Sequence, residues 1–595
     1  MSESAQVIVE YEDYAPLSLF EIVKARRGWD DVSMSELSAV PHEQLKRLDD
    51  VVDRLHECQV HGQQVTIVPD FDTDGVTAGT LGYAGLAQLG FMVNLYVPDY
   101  RRGHDIVPET IDECVSQFPL TDVIVTCDAG INSHAGIARA HEHGVKVFVT
   151  DHHVELSPGC SADVWVNPNA LDEDYPDSHL CGAAVMFLVI RRYAERFAPE
   201  MLPLVELLRL FAGVGTVADV MPLRGQSRGW VSDAVSLSRL LFPHGDGSSV
   251  LVESLRSFSI PAHPVLLTAF EGFEGLLRLL RSRGKLKSVE YIDSTFFAFY
   301  IAPMINSLRR VGAEFFAAFS ALNHPLASGR EDAAEILFDA NELRKREVVR
   351  FVDELADSDQ PFAPFVFVSN APTGMLGLVA TSLSNESGLP VCVVNAHADG
   401  SFSGSARAPE WFDVIAQCAT VNVSAVGHAQ ACGVSFDSAE NISRVCDVFA
   451  RSVAEHEALS ALEPVSIFDV VDVCAGSSAR CDVSLSDTAA FIDLVDRCEL
   501  YKPFGVGFVQ PLVGVEVDMS TVSLMTLGAK KQHVKMSTPE GFVLLWWNAA
   551  DEYGDRLAQA IADSSTVVFA THVGINEFRQ KVSAQGIVQS VVDWG

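Results

Sequence analysis

The chain has 595 residues, of which 48% are hydrophobic and 20% are charged, a composition typical of globular protein. This length predicts roughly three to five domains, and the apolar content excludes disorder as the main state. Acidic residues outnumber basic ones by 79 to 42, so the formal net charge is −37. A protein that binds polyanions usually carries a basic surface, so this charge argues against nucleic acid as a partner.

The cysteines and the N-terminal sequence both indicate an intracellular protein. The twelve cysteines include no CxxC pair, which argues against a zinc ribbon or a redox dithiol and fits reduced thiols. The first residues have neither the basic region nor the apolar region of a signal peptide, and no uninterrupted apolar run approaches the length of a membrane span. We therefore expect a cytoplasmic protein without membrane segments.

The first half of the chain predicts a helical segment followed by a parallel sheet. Apolar side chains repeat at helical spacing between residues 45 and 55. Further on, short β-branched runs alternate with helix-compatible stretches, which is typical of βαβ units. The predicted strands are 65–68, 92–97, 122–127, 145–150 and 163–167. Mainly helical sequence follows from 181 to 330, including one predicted helix over 203–220.

The second half predicts two more domains after a connecting helix. A long polar helix is predicted near 331–358, and β/α alternation resumes at 364. The last 130 residues are rich in short strand patterns with one helical interruption, which indicates a small barrel. The predicted divisions are 1–60 for an N-terminal helical segment, 61–330 for the first α/β domain, 331–360 for the connector, 361–462 for the second α/β domain and 463–595 for the barrel.

Acidic residues and histidines follow three predicted strands of the first domain, at the point where each strand ends. They are Asp70, Asp72, Asp74, Asp128, Asp151, His152 and His153. Ligands of open parallel sheets bind at the carboxyl ends of the strands, so we expect these side chains to converge at one edge. Further along the chain, Asp219 precedes Pro222, which should end the preceding helix.

A carboxylate cluster of this kind predicts divalent cations. Carboxylates packed closely repel each other unless a cation neutralises them. An Asp/His set without cysteine suits Mn²⁺ or Mg²⁺ better than structural zinc, and two such ions about 3.5–4 Å apart form the clamp used in phosphoryl hydrolysis. The alternative is a calcium loop, which also begins DxDxDG, but position 12 counted from Asp70 is Leu81 rather than glutamate.

Four motifs then appear in a recognisable order: DFDTDG, CDAGI, TDHH and GTVADVMPL. They resemble motifs I to IV of the DHH phosphoesterases, and above all those of the RecJ-type single-strand exonucleases. Further segments continue the resemblance in family order, which covers about 65–595. They are VPDYRRGHDI, WVNPN, LCGAAVMF, APMINSLRRVG, NELRKRE, SGSARA, VGHAQACGVSF, YKPFGVGFVQPL and INEFRQK.

The resemblance implies an α/β fold with three modules and a two-metal site. The modules are a parallel-sheet DHH domain with a helical extension at 61–330, a DHHA1 substrate-binding domain at 361–462 and an OB-like β-barrel at 463–595. The implied cofactors are two divalent cations, Mn²⁺ or Mg²⁺. Their implied ligands are Asp70, Asp72, Asp74, Asp128, His152 and Asp219. Asp128 is the implied bridge, His153 is expected to contact the scissile phosphate, and Asp151 is expected to orient an imidazole.

The resemblance also implies a set of substrate-binding residues. They are Asn306, Arg309, Gly404, Ser405, Arg407 and His428. An arginine such as Arg407 can hold a phosphate with two hydrogen bonds, and Gly404 would allow close approach of the backbone. Val426 replaces the first glycine of the GGH signature and Met304 replaces the arginine of PRIN, so contacts with the strand are expected to differ from those of relatives.

Clusters of basic residues predict a binding surface for nucleic acid on a protein whose net charge is negative. Seven basic and two acidic residues lie between 276 and 310. The candidate groove residues elsewhere are Arg101, Arg102, Lys530, Lys531, Lys535 and Arg579. We expect a narrow positive channel in a negative surface, although any single basic cluster is more often solvated surface. In LLWWN, one of Trp546 and Trp547 should face the core and the other should face outwards.

These observations predict a RecJ-like exonuclease that hydrolyses single-stranded DNA, or RNA, from 5′ to 3′ and serves DNA repair and recombination. The polarity is implied by the resemblance. A helicase and a single-strand-binding protein are the expected partners, and a monomer is the expected state. One alternative is a DHH phosphodiesterase acting on short oligonucleotides or cyclic dinucleotides, which would need no barrel. The other is a non-catalytic replication scaffold, against which the retained acidic motifs argue.

Overall fold

The computed structural model describes most of the chain, and two compact units divide it. The described residues are 24, 42–103, 106–242, 255, 261–460, 469–472, 477–480, 483–485, 488–528, 531–539, 543–578 and 581–594. Of the described residues, one unit comprises those within Ser35–Glu347 together with Pro503–Phe508, and the other comprises those within Met1–Met34, Val348–Lys502 and Val509–Gly595. Most of the predicted N-terminal helical segment, together with Lys530 and Arg579, lies outside the described residues.

Five parallel strands form the sheet of the first unit, in the order β2-β1-β3-β4-β5. They are β1 (Val65–Pro69), β2 (Val93–Leu95), β3 (Val123–Cys127), β4 (Lys146–Thr150) and β5 (Val164–Val166). Strands β1 and β3 are buried along their whole length, as expected of a parallel sheet covered on both faces. The parallel sheet predicted from the β/α alternation is confirmed, with each strand within two residues of its predicted limits.

Helices cover both faces of this sheet and extend the unit. They are Leu48–Val60, Thr73–Gln88, Pro108–Gln117, His134–Glu142, Gly182–Phe197, Leu202–Val205, Arg209–Ala218, Gly225–Leu241, Pro264–Ser282, Ser294–Phe296, Ala302–Val311, Phe316–Asn323 and Ala327–Asp357. Small residues bring two central helices close together, since a Cβ on Gly85 would lie 2.8 Å from Cγ2 of Ile190. This packing fixes Thr73–Gln88 and Gly182–Phe197, whose first turns lie beside the sheet's carboxyl edge.

The helical stretch predicted over 203–220 is present, with a 3-10 turn in its middle. The segment divides into Leu202–Val205, a 3-10 turn at Glu206–Leu208, and Arg209–Ala218, which ends before Pro222. Among the described residues, one helical stretch, Pro199–Ala218, is long and apolar enough to be a candidate membrane span. Its most apolar window is 56% buried within the protein, and the buried core helix of a globular protein has the same composition.

The second unit contains a mixed sheet in the order β6-β7-β8-β10-β9. Its strands are β6 (Val366–Val368), β7 (Val391–Ala396), β8 (Phe402–Arg407), β9 (Ser424–His428) and β10 (Ala431–Phe436). Strands β6 and β7 are parallel and the remaining pairs are antiparallel. The helices of this part are Thr373–Ser387, Val414–Ala419 and Ala439–Ser460. The β/α alternation predicted from residue 364 onwards is therefore present.

The C-terminal part is mainly β, as predicted. Its strands are β11 (Asp469–Asp472), β12 (Ser477–Arg480), β13 (Val483–Leu485), β14 (Leu512–Asp518), β15 (Ser523–Leu527), β16 (His533–Ser537), β17 (Val543–Trp546), β18 (Thr566–Phe578) and β19 (Lys581–Asp593). Its helices are Thr488–Glu499 and Ala550–Asp563. Strands β13 to β19 form one sheet that begins at β13 and ends at β15 in the described residues, so closure into a barrel stays a prediction.

The paired tryptophans of this region divide between core and surface. Trp546 is 7% exposed and its ring stacks on Tyr553 at a centroid distance of 4.3 Å. Trp547 is 52% exposed. Trp547 lies in the turn that follows β17, and the prediction that one ring faces the core and the other faces outwards is confirmed.

Candidate metal centre

The acidic motifs meet at the carboxyl edge of the first sheet. Nε2 of His152 lies 3.1 Å from Oδ1 of Asp128, 3.6 Å from Oδ2 of Asp219 and 3.9 Å from Oδ2 of Asp74. Three overlapping groups have ligand atoms within 4.8 Å of one another: Asp70 with Asp72 and Asp128, Asp74 with His152 and Asp219, and Asp128 with His152 and His153. Asp128 belongs to two of these groups, which is the position a bridging ligand would need.

The carboxylate of Asp74 is held by the first turn of a neighbouring helix. The N–H groups of Gly182 and Ala183 donate hydrogen bonds of 2.6 and 3.1 Å to its two oxygens. These amides begin the helix Gly182–Phe197, and the N-terminus of a helix favours negative charge. Burial raises the pKa of Asp74, and the nearby His152 opposes that effect. The sequence motifs did not reveal these two donors.

Three glycines make room for the acidic side chains. A Cβ on Gly182 would lie 2.3 Å from Oδ1 of Asp128, and one on Gly215 would lie 2.4 Å from Oδ1 of Asp74. A Cβ on Gly75 would lie 2.5 Å from the carbonyl of Asp70. Sequence reasoning assigned these glycines no role, although each lies inside a motif that was matched to the family. A glycine in or beside a helix, where it weakens the helix, was the available signal.

Asp128 and Asp219 provide buried oxygens that fit a cation. Asp128 is 2% exposed and has a φ of 63°, a left-handed conformation that aspartate tolerates better than most residues. Oδ1 of Asp128 and Oδ2 of Asp219 accept no hydrogen bond from any residue that the structure describes. Buried carboxylate oxygens without donors suit Mn²⁺ or Mg²⁺, which prefer oxygen ligands.

The pKa values of these two carboxyls show how unfavourable their joint ionisation is without a cation. Burial, followed by the charges of Asp74 and Asp72, raises the pKa of Asp128 well above its ordinary value. The same causes raise the pKa of Asp219 to about 8. A divalent cation would remove this penalty by neutralising the charges.

The two histidines of the DHH motif differ in their environments. Burial lowers the pKa of His152, which leaves a neutral imidazole able to offer a lone pair to a metal. His153 donates from Nδ1 to Oδ1 of Asp151 at 2.8 Å. Burial alone would lower the pKa of His153, but the hydrogen bond and charge of Asp151 outweigh it and raise that pKa to about 9. The neighbouring histidines are therefore suited to different tasks.

Backbone and amide contacts hold this motif in place. Asp151 also accepts hydrogen bonds from the N–H groups of His152, His153 and Ile131, at 2.7 to 3.1 Å. From the WVNPN segment, Nδ2 of Asn167 donates to the carbonyl of His153 at 2.8 Å, and Nδ2 of Asn169 donates to that of His152. The sequence matched this segment to the family without indicating what the two asparagines hold.

Two predicted substrate residues of the first unit lie beside the first acidic motif. Oδ1 of Asn306 accepts a hydrogen bond of 3.0 Å from the N–H of Thr73, at the start of the helix that carries Asp74. The guanidinium of Arg309 lies 5.4 Å from the ring centroid of Phe71. Asn306 therefore fixes the acidic loop, and Arg309 places positive charge next to it.

Three of the remaining predicted substrate residues, Ser405, Arg407 and His428, share one face of the second sheet. Arg407 pairs with Ala431, which pairs with His428, so the three residues lie in line across β8, β10 and β9. Ser405, two residues before Arg407, lies on the same face. Two strand spacings separate Arg407 from His428, about 10 Å.

Gly404 allows a close approach within the second sheet, and its contact with substrate stays a prediction. A Cβ there would lie 2.0 Å from the carbonyl oxygen of Val393 on the adjacent strand, so the close approach that Gly404 allows is between β8 and β7. Arg407 packs over another glycine, since a Cβ on Gly377 would lie 2.8 Å from Nη2 of Arg407. No carboxylate of the described residues forms an ion pair with this guanidinium, which donates to the carbonyl of Ala406 at 2.7 Å.

Several basic residues expected to line a channel are instead paired with acids. Arg101 contacts Asp99 and Glu314 at 3.4 and 2.9 Å, and Arg102 pairs with Glu113. From the 276–310 cluster, Arg278 and Arg283 pair with two glutamates of the helix Ala327–Asp357. Lys531 is exposed and Lys535 is half-buried on β16, while Lys530 and Arg579 lie outside the described residues. These arginine pairs reduce the positive charge available to a ligand.

Fold and site together define an α/β protein with a buried acid–histidine centre at the carboxyl edge of a parallel sheet. Residues 64–213 match the family model of the DHH family, N-terminal domain, and residues 481–590 match that of the RecJ OB domain. The chain therefore contains a domain of the DHH family and an OB domain of the RecJ type.

Named relatives agree with this assignment. A single-stranded-DNA-specific exonuclease RecJ of Haemophilus influenzae is 26% identical over 585 residues, covering 92% of this chain and 91% of that protein. The protein of that name from Salmonella typhimurium is 34% identical over 215 residues, so the matched stretch spans 34% of this chain and 36% of that relative. The crystal structure of RecJ from Thermus thermophilus in complex with Mn²⁺ has a TM-score of 0.68 at 22% identity, covering 96% of this chain and 75% of that one. This structural likeness establishes the shared fold.

Proposed function

We propose that this protein is a metal-dependent exonuclease that hydrolyses single-stranded DNA from its 5′ end and releases nucleotides. The observation that carries the proposal is the buried cluster around Asp128, whose Oδ1 has no hydrogen-bond donor among the described residues. A polar oxygen buried in this way is unfavourable without a cation. The Haemophilus influenzae relative, matched along nearly its whole length, is named as a single-stranded-DNA-specific exonuclease.

Two groups of side chains would hold two divalent cations, Mn²⁺ or Mg²⁺. Asp70 and Asp72 form one group, Asp74 and Asp219 with His152 form the other, and Asp128 would be shared. When bound, such a pair of ions activates water and neutralises charge on a phosphodiester in its transition state. The chain's contribution is to fix these ligands, through the amides that hold Asp74 and the left-handed backbone of Asp128.

His153 and Asp151 would act on the phosphate. The Asp151 carboxylate keeps the His153 imidazole protonated at neutral pH and fixes its orientation through Nδ1. The side chain of His153 is 37% exposed, whereas that of Asp151 is 1% exposed. The cationic ring can therefore donate a proton in a hydrogen bond to a non-bridging oxygen of the scissile phosphate.

The rest of the strand would contact the second sheet and the C-terminal region. Ser405, Arg407 and His428 offer hydroxyl, guanidinium and imidazole groups on one face, and the guanidinium of Arg407 has no competing ion pair among the described residues. The exposed ring of Trp547 offers a stacking surface for a base, as aromatic groups do in OB-type domains. Lys535 lies on β16 of the same sheet and would contact phosphate.

We infer a cytoplasmic role in DNA repair and recombination, acting as a monomer together with a helicase and a single-strand-binding protein. A helicase supplies single strands, and the acidic surface disfavours duplex outside the contacts described above. The proposed domain limits are 61–330, 361–462 and 463–595, with 331–360 as connector. The helix Ala327–Asp357 supports the connector.

Digestion of end-labelled oligonucleotides tests the proposal. Single strands labelled at the 5′ or the 3′ end, the matching duplex and a dinucleotide are incubated with the full chain in Mn²⁺ and in EDTA. We expect Mn²⁺-dependent release of nucleotides from the 5′ end of the single strand and slow attack on the duplex. Hydrolysis that persists in EDTA, or that favours the dinucleotide over the long strand, would contradict the proposal.

A further inference from the structure

A short segment from far along the chain lies in the same compact unit as the acidic cluster. This segment, Pro503–Phe508, is called the clasp below, and the residues on both sides of it belong to the other unit. The carbonyl of Val506 accepts a hydrogen bond of 2.6 Å from the N–H of Leu223, and the carbonyl of Gly507 accepts one of 3.2 Å from Nε of Arg224. The carbonyl of Phe504 accepts a third, of 2.9 Å, from Oγ of Ser294.

The clasp is a tight turn whose shape depends on two glycines. Gly505 and Phe508 exchange backbone hydrogen bonds of 3.0 and 3.1 Å. A Cβ on Gly505 would lie 2.7 Å from Cδ1 of the buried Leu223. Gly507 has a φ of +72°, and a Cβ there would lie 3.0 Å from Cβ of Pro222. The turn therefore lies directly on the segment 222–224.

Aromatic packing completes this contact. The rings of Phe504 and Phe508 stack at a centroid distance of 5.7 Å and an interplanar angle of 8°. The guanidinium of Arg228 lies 4.4 Å from the centroid of the Phe508 ring. Arg228 belongs to the helix Gly225–Leu241, so the clasp contacts both this helix and the loop that leads into it.

The loop under the clasp begins at Asp219. The helix Arg209–Ala218 ends in a cap in which Met221 and Val220 donate N–H hydrogen bonds to the carbonyls of Thr216 and Val217, at 3.1 and 3.2 Å. Val220 has a φ of 56°. Glycine usually occupies this left-handed cap position, and a β-branched residue there is strained. Such a conformation persists only where surrounding contacts impose it.

Asp219 differs from Asp74 and Asp151 in how its carboxylate is held. Two amides bind the Asp74 carboxylate, and three backbone amides together with His153 bind that of Asp151. Oδ2 of Asp219 accepts no hydrogen bond from the described residues. Its position is therefore set mainly by the backbone that carries it, which is the strained cap and the loop fixed by the clasp.

We propose that the clasp is a positioning element of the metal centre. By binding the backbone of Leu223 and the side chains of Arg224 and Arg228, it holds the turn at Val220 and so places the Asp219 carboxylate opposite His152. This inference rests on the metal centre of the proposed function and adds residues remote in sequence to it. The clasp residues contact neither metal nor substrate in this role.

The test compares two glycine variants by Mn²⁺ binding to the full chain, measured calorimetrically without nucleic acid. Gly505→Val pushes a side chain into Leu223 and should weaken Mn²⁺ binding about tenfold, as disturbed supports of metal ligands typically do. Gly554→Ala is the control, because a Cβ there meets nothing within 4 Å. Thermal unfolding in EDTA shows whether each variant is folded. If Gly505→Val fails to fold, Phe508→Leu takes its place, since it keeps apolar bulk but removes the ring beneath Arg228.

A double-mutant cycle shows whether the clasp acts through Asp219. In an Asp219→Asn background, the clasp substitution should cause no further loss of Mn²⁺ affinity, because the group it positions is already altered. The same loss in both backgrounds, or native affinity in a folded clasp variant, would overturn the inference while leaving the metal centre intact. Absence of Mn²⁺ binding by the native chain would instead overturn the proposed function itself, and the inference with it.

Discussion

The carboxyl edge of the first sheet and the face of the second sheet that carries Ser405, Arg407 and His428 differ in how their side chains are exposed. At the first, Asp74, Asp128 and Asp151 are at most 2% exposed. At the second, His428 is exposed and Ser405 and Arg407 are only half-buried. The first region concentrates like charges in a small buried volume, and the second spreads donors over about 10 Å of sheet.

This difference corresponds to the ligands each region would take. Two small cations need oxygen atoms fixed to within fractions of an ångström, and burial with backbone hydrogen bonds provides that. A flexible strand that moves between turnovers needs contacts that form and release, which exposed side chains provide. We therefore expect substitutions at the first region to abolish the chemical step, and those at the second to weaken binding.

The largest expected effect is that of Asp128→Asn. Replacing a shared carboxylate by an amide removes the charge that would hold both cations, so kcat should fall by about 10³-fold or more. The rate of nucleotide release in saturating Mn²⁺ measures this effect. Asp50→Asn, on an exposed turn of the helix Leu48–Val60, is the control and should retain the native rate. A kcat within tenfold of native for Asp128→Asn would remove the distinction between the regions.

Without metal, the first region should make stability depend on pH. The pKa of Asp219 is raised from 3.8 to about 8 in the fold, so the folded chain keeps a proton that the unfolded chain releases near pH 4. The contribution of this carboxyl to the free energy of unfolding is fully present below that pH and is lost as pH rises towards 8. The loss is at most about 1.4 kcal/mol per pH unit for each such carboxyl. Urea unfolding in EDTA from pH 5 to 8 measures the slope.

Two further unfolding series show which groups cause this pH dependence of stability. Asp219→Asn should flatten it, because the titrating carboxyl is gone, and Mn²⁺ should flatten it in the native chain by neutralising the cluster. The pKa of His153, raised to about 9, adds a change of the same sign at the alkaline end. A metal-free chain that becomes more stable between pH 5 and 8 would contradict the assigned pKa directions.

Asp151→Asn should have an intermediate effect. It removes the charge that keeps His153 protonated and oriented, so kcat should fall about 10–100-fold and the alkaline limb of activity should move to lower pH. Asp163→Asn alters a comparable pair with His141, 2.9 Å apart and away from the cluster, and should leave the pH profile unchanged. If the rate falls but the alkaline limb does not move, Asp151 serves only to hold the backbone N–H groups of the motif and does not set the protonation of His153.

Arg407→Ala should have the smallest effect, on binding rather than chemistry. Losing one charge-assisted phosphate contact should raise KM about tenfold and leave kcat within a factor of about three. Arg444→Ala, an exposed arginine bound to Asn441 at 2.7 Å, is the control. A large loss of kcat with KM unchanged would place Arg407 in the chemical step and erase the contrast between the two regions.

Strand ends were the informative part of the sequence. Because parallel strands put their carboxyl ends on one edge, the acids after β1, β3 and β4 could be predicted to meet, and they do. The supporting groups could not be predicted, since the amides of Gly182 and Ala183 contact Asp74 only through the fold. The sequence also could not show that Gly404 lies against the backbone of Val393, because a glycine in a motif does not indicate whether a strand or a ligand approaches it.

Charge was the least predictable property. A count of basic residues between 276 and 310 indicated a positive surface, but it could not show that Arg278 and Arg283 pair with glutamates of a later helix. The contacts of the clasp were equally unpredictable from the sequence. The motif YKPFGVGFVQPL gave no sign that its glycines pack on the loop after Asp219.

The most direct test of the account is anomalous diffraction at the manganese edge from crystals grown with Mn²⁺. We predict two manganese peaks at the carboxyl edge of the first sheet, with Asp128 in contact with both and Asp219 and His152 on one of them. No peak at this edge, or peaks only at exposed carboxylates elsewhere, would contradict the claim that this cluster is a two-metal centre.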